Sequence, residues 1–261
     1  MANFHQLKAY INHWLTVVDK HSIHSPYFFD FYTKVIQDKS DVNQFNEIEK
    51  LRENLLINST EITVEDFGAG SKKLSGTKRK LSDIANVSLT PPKYARLYHN
   101  IINYIEAKNI VEFGTSLGIT SLYLAKIEDC HVTTFEGSHA LSNVALTNFE
   151  YFDKKNIDLI EGNIHITLAE FIQNPAKINF VLMDAHHLYE PTLRYFNLLV
   201  RRLNDKSVVV LDDIHWSAEM ERACHELRNS QLVYGSIDLF QCGILFFDPA
   251  LNRQHLVWVR S

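Results

Sequence analysis

Between residues 110 and 229, short apolar runs alternate five times with segments of helical length. Few architectures tolerate that regularity. The runs at 110–113, 132–135, 157–160, 178–183 and 208–211 predict strands, and the intervals 120–127, 140–154, 167–173, 189–202 and 218–229 predict helices. Strands that are apolar on both sides and separated by helices belong to a parallel sheet covered on both faces. The tail reads differently: 232–239, 243–247 and 256–259 are strand-like with no helix between them. The expected fold is therefore α/β, with a mostly parallel sheet ending in antiparallel strands at the C-terminal end. The chain has 261 residues, enough for such a domain plus an extension.

Residues 1–92 lack the alternation. Tyr10, Ile11, Trp14, Leu15 and Val18 recur at helical spacing and predict an amphipathic helix over 5–19. His24-Ser25-Pro26 interrupts the chain, and helices are expected at 27–36 and 46–56. Most of Tyr27, Phe28, Phe29, Phe31 and Tyr32 is expected in the core, with some available to line a pocket. Asp66-Phe67-Gly68-Ala69-Gly70-Ser71 and the basic run Lys72, Lys73, Lys78, Arg79 and Lys80 read as a solvated loop. Pro91-Pro92 marks a boundary, and a helix over 93–106 leads into the alternating part. The expected division is a helical N-terminal extension, 1–92, and an α/β domain, 93–261.

Net charge is −5, so a polyanion such as nucleic acid is not the expected partner. Cys130, Cys224 and Cys242 lie far apart with no CxxC pair, which suggests neither a zinc site nor a disulfide framework and fits a reducing compartment. No apolar run approaches the roughly 18 residues that span a bilayer, and the first ten residues lack a signal-peptide core. No membrane association and a cytoplasmic location are expected.

The chemistry concentrates at the predicted strand ends. In Val111-Glu112-Phe113-Gly114-Thr115-Ser116-Leu117-Gly118-Ile119-Thr120 a strand passes into a helix, and Gly114 and Gly118 permit a tight turn and close approach of a ligand. The amides of such a turn bind polar groups. Glu136 follows the second strand, about 20 residues after the turn, where a carboxylate can accept hydrogen bonds from ribose hydroxyls. The glycine spacing is not GxGxxG, which argues against a dinucleotide.

The Glu-Phe-Gly-Thr-Ser-x-Gly turn followed by Phe135-Glu136-Gly137 resembles the first two motifs of class I S-adenosylmethionine-dependent methyltransferases, over about residues 93–248. The resemblance implies a Rossmann-like methyltransferase sheet. It also implies that Glu112, Gly114, Thr115, Ser116 and Gly118 hold the methionine part of the cofactor and Glu136 its ribose. Gly162-Asn163 matches the place of the adenine contact, although many members carry Asp there.

The fourth strand ends in Met183-Asp184-Ala185-His186-His187-Leu188-Tyr189-Glu190 and the fifth in Leu211-Asp212-Asp213-Ile214-His215-Trp216. Ligands of open α/β sheets bind at such carboxyl ends, so Asp184, His187, Asp212, Asp213 and His215 are candidates for one site. Clustered carboxylates need a cation or protons between them, and oxygen ligands favour a hard ion such as Mg2+. Alternatively they cap the following helices, Asp213 the one at Ala218. The pattern is similar to small-molecule O-methyltransferases of the macrocin and catechol types. That similarity implies Asp184, Asp212 and Asp213 as metal ligands and His187 as general base, with Asp184 and Asp213 beside it in catalysis and Asp184 also touching the cofactor. The catechol-type pattern ends in Asp-Asn, where this chain has Asp212-Asp213. The implied partner is a small-molecule methyl acceptor; its selection is expected from the N-terminal helices and loops, outside the resemblance. A homodimer is the commonest assembly for such a chain. The alternatives are a dinucleotide-dependent oxidoreductase and a non-catalytic binding module on the same fold.

Overall fold

The computed structural model describes residues 4–18, 23–37, 42–64 and 77–259. In chain order the elements are α1 (Phe4–Thr16), α2 (Pro26–Phe31), α3 (Asn46–Ile57), β1 (Glu61–Thr63), β2 (Lys78–Lys80), α4 (Leu81–Ser88), α5 (Pro92–Tyr104), β3 (Asn109–Phe113) and α6 (Ile119–Leu124). There follow β4 (His131–Glu136), α7 (His139–Tyr151), β5 (Ile157–Glu161), α8 (Ile164–Phe171), β6 (Phe180–Met183), α9 (Tyr189–Leu199), β7 (Val208–Asp212), α10 (Ala218–Arg228), β8 (Gly235–Asp238), β9 (Cys242–Phe246) and β10 (Gln254–Val257). A π-helical turn, Tyr32–Ile36, continues α2. No helix among the described residues is long and apolar enough to cross a membrane.

The chain forms two compact units, 39–173 and 1–38 with 174–261. In the unit 39–173, β3, β4 and β5 run parallel in the order β3-β4-β5. Phe45, Ile48, Leu55, Leu81 and Ile84 share one core cluster with Leu117, Ile119, Tyr123, Ala145 and Phe149, so α3 and α4 pack with α6 and α7. A two-stranded antiparallel ribbon pairs β1 with β2, Glu61 opposite Lys80. The basic segment expected as loop is thus a strand from Lys78 onward, because the β-branched run at Ile62–Val64 offers it a partner. Asp66 to Ser71, Lys72 and Lys73 lie outside the described residues. α5 starts at the Pro91-Pro92 pair, where the fixed φ of Pro92 suits the first helical turn and the Pro91 carbonyl accepts from Tyr94 and Ala95.

In the other unit the strand order is β6-β7-β9-β8-β10. β6 and β7 are parallel and buried throughout, as a strand covered on both faces must be. β9 is antiparallel to β7 and β8, as expected for the tail, but β10 pairs with β8 in parallel. β10 does not return along β9 as a hairpin; it lies beyond β8. Phe28 and Phe31 are buried edge-on to Phe246, with ring centroids 5.2 and 5.1 Å away. Of the aromatic segment, Phe28 and Phe31 are therefore core, Tyr27 and Tyr32 are half-buried, and Phe29 is exposed. α1 carries the larger surprise. Its apolar stripe faces out, with Trp14 65 % and Leu15 68 % exposed, and the residues it buries are Ala9 and His13.

Candidate active site

The glycine turn is built from the end of β3 outward. The amides of Gly114 and Thr115 both donate to the Phe135 carbonyl, at 3.0 and 3.1 Å, which ties the turn to the end of β4. Gly114, Ser116 and Gly118 have φ of 94°, 49° and 79°, so the chain enters the left-handed region three times in five residues. Glycine does this freely, whereas Ser116 does it at a cost. At Gly118 the space is closed as well: a Cβ there would lie 2.7 Å from Phe149 Cε1.

Glu136 joins this turn. Its Oε2 accepts from the Ser116 amide at 2.8 Å and its Oε1 from the Ser138 amide at 2.9 Å. Gly162 donates its amide to the Glu136 carbonyl at 2.8 Å, with φ 127°. Asn163 caps α8, its side-chain oxygen accepting from the His165 amide. Thus Gly114, Thr115, Ser116, Gly118, Glu136, Gly162 and Asn163 gather at the carboxyl ends of β3, β4 and β5.

Glu112 is placed differently, beneath the turn and fully buried. Its Oε2 accepts from the hydroxyls of Ser121 and Thr134, the latter at 2.6 Å, while Oε1 has no hydrogen-bond partner among the described residues. Burial pushes its pKa up to about 7, against the lowering by the two hydroxyls, and the charge of Glu136 adds to the rise.

The acids and histidines belong to the other unit. After β6, His186 and His187 both lie in the left-handed region, at φ 66° and 42°. Two consecutive non-glycine residues there store strain of the kind found at functional sites. His187 Nε2 lies 3.5 Å from Asp184 Oδ1, and its buried Nδ1 has no hydrogen-bond partner among the described residues. Burial lowers the pKa of His187, and the nearby charge of Asp213 partly opposes this. His186 Nδ1 meets the Tyr195 hydroxyl at 3.0 Å.

After β7, Asp212 is buried, and Asp213 (φ 53°) accepts a hydrogen bond from Gln241 Nε2. Asp213 does not cap α10; Ser217 does, accepting from the Met220 amide, because it stands directly before the helix. His215 stacks on Phe240 at 5.1 Å and places Nε2 3.1 Å from Asp238 Oδ2.

The magnesium expectation finds no support in this arrangement. Among the described residues no group of three or more His, Cys, Asp or Glu side chains is arranged to hold a metal ion. Asp213 accepts from the Gln241 side-chain amide, and Asp184 Oδ1 lies 3.5 Å from the His187 imidazole.

Several participants escape a reading of the sequence. His13 of α1 lies 3.3 Å from Asp238 Oδ1, so one buried carboxylate sits between two imidazoles. Burial alone would raise the Asp238 pKa, but the hydrogen bonds from His13, His215 and the Phe240 amide hold it far below the carboxylate range. Asp238 ends β8, as Glu136 ends β4. That signal is hidden when 232–239 is read as one strand, since β8 stops at Asp238. Gln241, Ser121 and Thr134 offer no comparable signal.

Residues 111–214, about two fifths of the chain, match the family model described as a methyltransferase domain. Among solved structures, a Staphylococcus aureus protein described as a caffeoyl-CoA O-methyltransferase is similar with a TM-score of 0.59 at 17 % identity, over 85 % of this chain and 97 % of that one. The O-methyltransferase from Bacillus cereus, in complex with SAH (S-adenosylhomocysteine), gives 0.56 at 14 %, over 83 % and 94 %. The O-methyltransferase TomG from Streptomyces achromogenes, involved in tomaymycin synthesis and in complex with SAM, gives 0.53 at 16 %, over 62 % and 82 %. No curated protein matches in sequence. The fold is the Rossmann-like methyltransferase fold, preceded by helices.

Proposed function

We propose that this chain is an S-adenosylmethionine-dependent methyltransferase that methylates a hydroxyl of a small molecule. The observation that carries the reading is the 2.8 Å hydrogen bond from the Ser116 amide to Glu136, which sets the glycine turn and the acid at the end of β4 side by side. The methyltransferase-domain match over 111–214 and the O-methyltransferases among the structural relatives support it. The cradle suits the cofactor: three left-handed turn positions bring backbone amides together beside a carboxylate.

Bound there, the cofactor supplies a methyl group already activated on a sulfonium. The protein's part is alignment and proton removal. Gly114, Thr115, Ser116 and Gly118 hold the methionine end, Glu136 the ribose, and Gly162 and Asn163 the adenine. His187 takes the proton of the acceptor hydroxyl. Its lowered pKa keeps the imidazole neutral near pH 7. Its Nε2 stands 3.5 Å from Asp184 Oδ1. Asp184 orients that ring, and Asp213 stabilises the imidazolium that forms. No step runs through a metal.

Residues 1–92 select the acceptor in this reading. Cys130, Cys224 and Cys242, which form no disulfide among the described residues, support a cytoplasmic setting, and the outward apolar stripe of α1 supports a homodimer.

A thermal-shift comparison separates this reading from a dinucleotide-dependent oxidoreductase. S-adenosylhomocysteine should raise the melting temperature and NADH should not; the reverse would replace one reading by the other.

A further inference from the structure

We infer that Thr134 and Ser121 are positioning residues for the cofactor turn, acting on it through Glu112 and Thr115. The inference rests on the methyltransferase reading for its functional consequence and on geometry for its physical content.

The four side chains form one buried relay. Thr134 Oγ1 donates to Glu112 Oε2 at 2.6 Å and lies 2.6 Å from Thr115 Oγ1. A hydroxyl has a single proton to donate. Since Thr134 spends it on Glu112, the Thr115 hydroxyl is the donor in the second contact. Ser121, in α6, gives a further hydroxyl proton to the same carboxylate oxygen. All four residues are buried, three of them completely.

The relay therefore links β3, β4, α6 and the turn, and it reaches the turn at one residue, Thr115. That residue immediately precedes Ser116, whose strained left-handed backbone aims its amide at Glu136. Without the relay the buried Thr115 hydroxyl loses the contact that holds its side chain, and Ser116 can relax from its φ of 49°. A buried carboxyl that accepts two hydroxyl protons on one oxygen is costly unless those donors stay in place. Protonation of Glu112 would fall on Oε1, which has no partner among the described residues, leaving the relay through Oε2 intact.

Thr134→Val and Thr134→Ser test this. Valine keeps the shape and removes the hydroxyl; serine keeps the hydroxyl and removes a core methyl. If the relay positions the turn, cofactor affinity follows the hydroxyl and stability follows the methyl. Calorimetry with S-adenosylhomocysteine should show about a tenfold loss of affinity for Thr134→Val and near wild-type binding for Thr134→Ser. Thermal unfolding should rank the two variants the other way. Amide hydrogen exchange on the ligand-free protein gives a second readout: exchange at 114–118 should quicken several-fold in Thr134→Val and stay unchanged in Thr134→Ser. Wild-type affinity and exchange in a folded Thr134→Val would overturn the inference. Wild-type protein that binds no S-adenosylhomocysteine would defeat the methyltransferase reading instead, and the exchange comparison would still decide the relay.

Discussion

At the scale of single residues, the candidate site combines conformational permission with buried charge. Gly118 supplies the permission. Alanine there would face both the left-handed φ and the Phe149 ring, so Gly118→Ala should cost about 1–3 kcal/mol in stability and weaken cofactor binding. Chemical denaturation and calorimetry check the two effects.

Glu112 supplies the buried charge. Its pKa stands at about 7 in the folded chain against an ordinary 4.5, so the native state holds this proton more tightly than the unfolded chain does. The contribution to stability is complete below about pH 4.5 and is lost as pH rises through 7, on the order of 3 kcal/mol at 1.36 kcal/mol per pH unit. Glu112→Gln should flatten that part of the stability profile, as urea unfolding at pH 5 and pH 8 would measure. An unchanged slope would mean that another group sets it. The glycines and Glu136 are legible in the sequence because local turn chemistry and the end of a strand dictate them. The roles of Ser121 and Thr134 are not, because a hydroxyl inside a helix or strand looks the same whether or not a carboxylate lies opposite.

At the scale of elements, the alternation of strands and helices reads directly from apolar periodicity, and the helices expected at 46–56, 93–106 and 218–229 appear within two residues of those bounds. α4 and the β1–β2 ribbon are missed. Both are short, and the ribbon forms only because two distant segments pair. α1 is legible as a helix, but its orientation is not, since His13 is drawn inward by Asp238 rather than by hydropathy. His13→Ala should loosen α1. Hydrogen exchange over 4–16 should quicken while β6 and β7 stay protected; equal protection would show that the imidazole does not anchor the helix. α2 is held by shape instead. Phe28 rests on Gly235, where any Cβ would collide with its ring. Gly235→Ala should therefore lower the melting temperature by several degrees, and Phe28→Leu in the same chain should recover part of the loss.

At the scale of the whole molecule, α1 exposes Phe4, Leu7, Tyr10, Ile11, Trp14 and Leu15 on a single helix, a concentration of apolar side chains that monomers seldom leave in water. Light scattering should report a dimer for the wild type and a smaller species for Trp14→Glu. Identical masses for the two would detach α1 from assembly. The two compact units do not follow the sequence boundary at Pro91-Pro92, since α3 and α4 share the core of the unit that carries the glycine turn. Packing of that kind depends on which helices meet, and periodicity within each helix does not encode it.

In the proposed reading, the turn after β3 and the carboxylate of Glu136 together grip an adenosyl cofactor. Titration calorimetry with S-adenosylhomocysteine on the wild type and on Glu136→Ala tests it most directly. The account predicts saturable binding to the wild type and at least a tenfold weaker affinity in the folded variant. No heat from the wild type, or equal affinity in both, would contradict it.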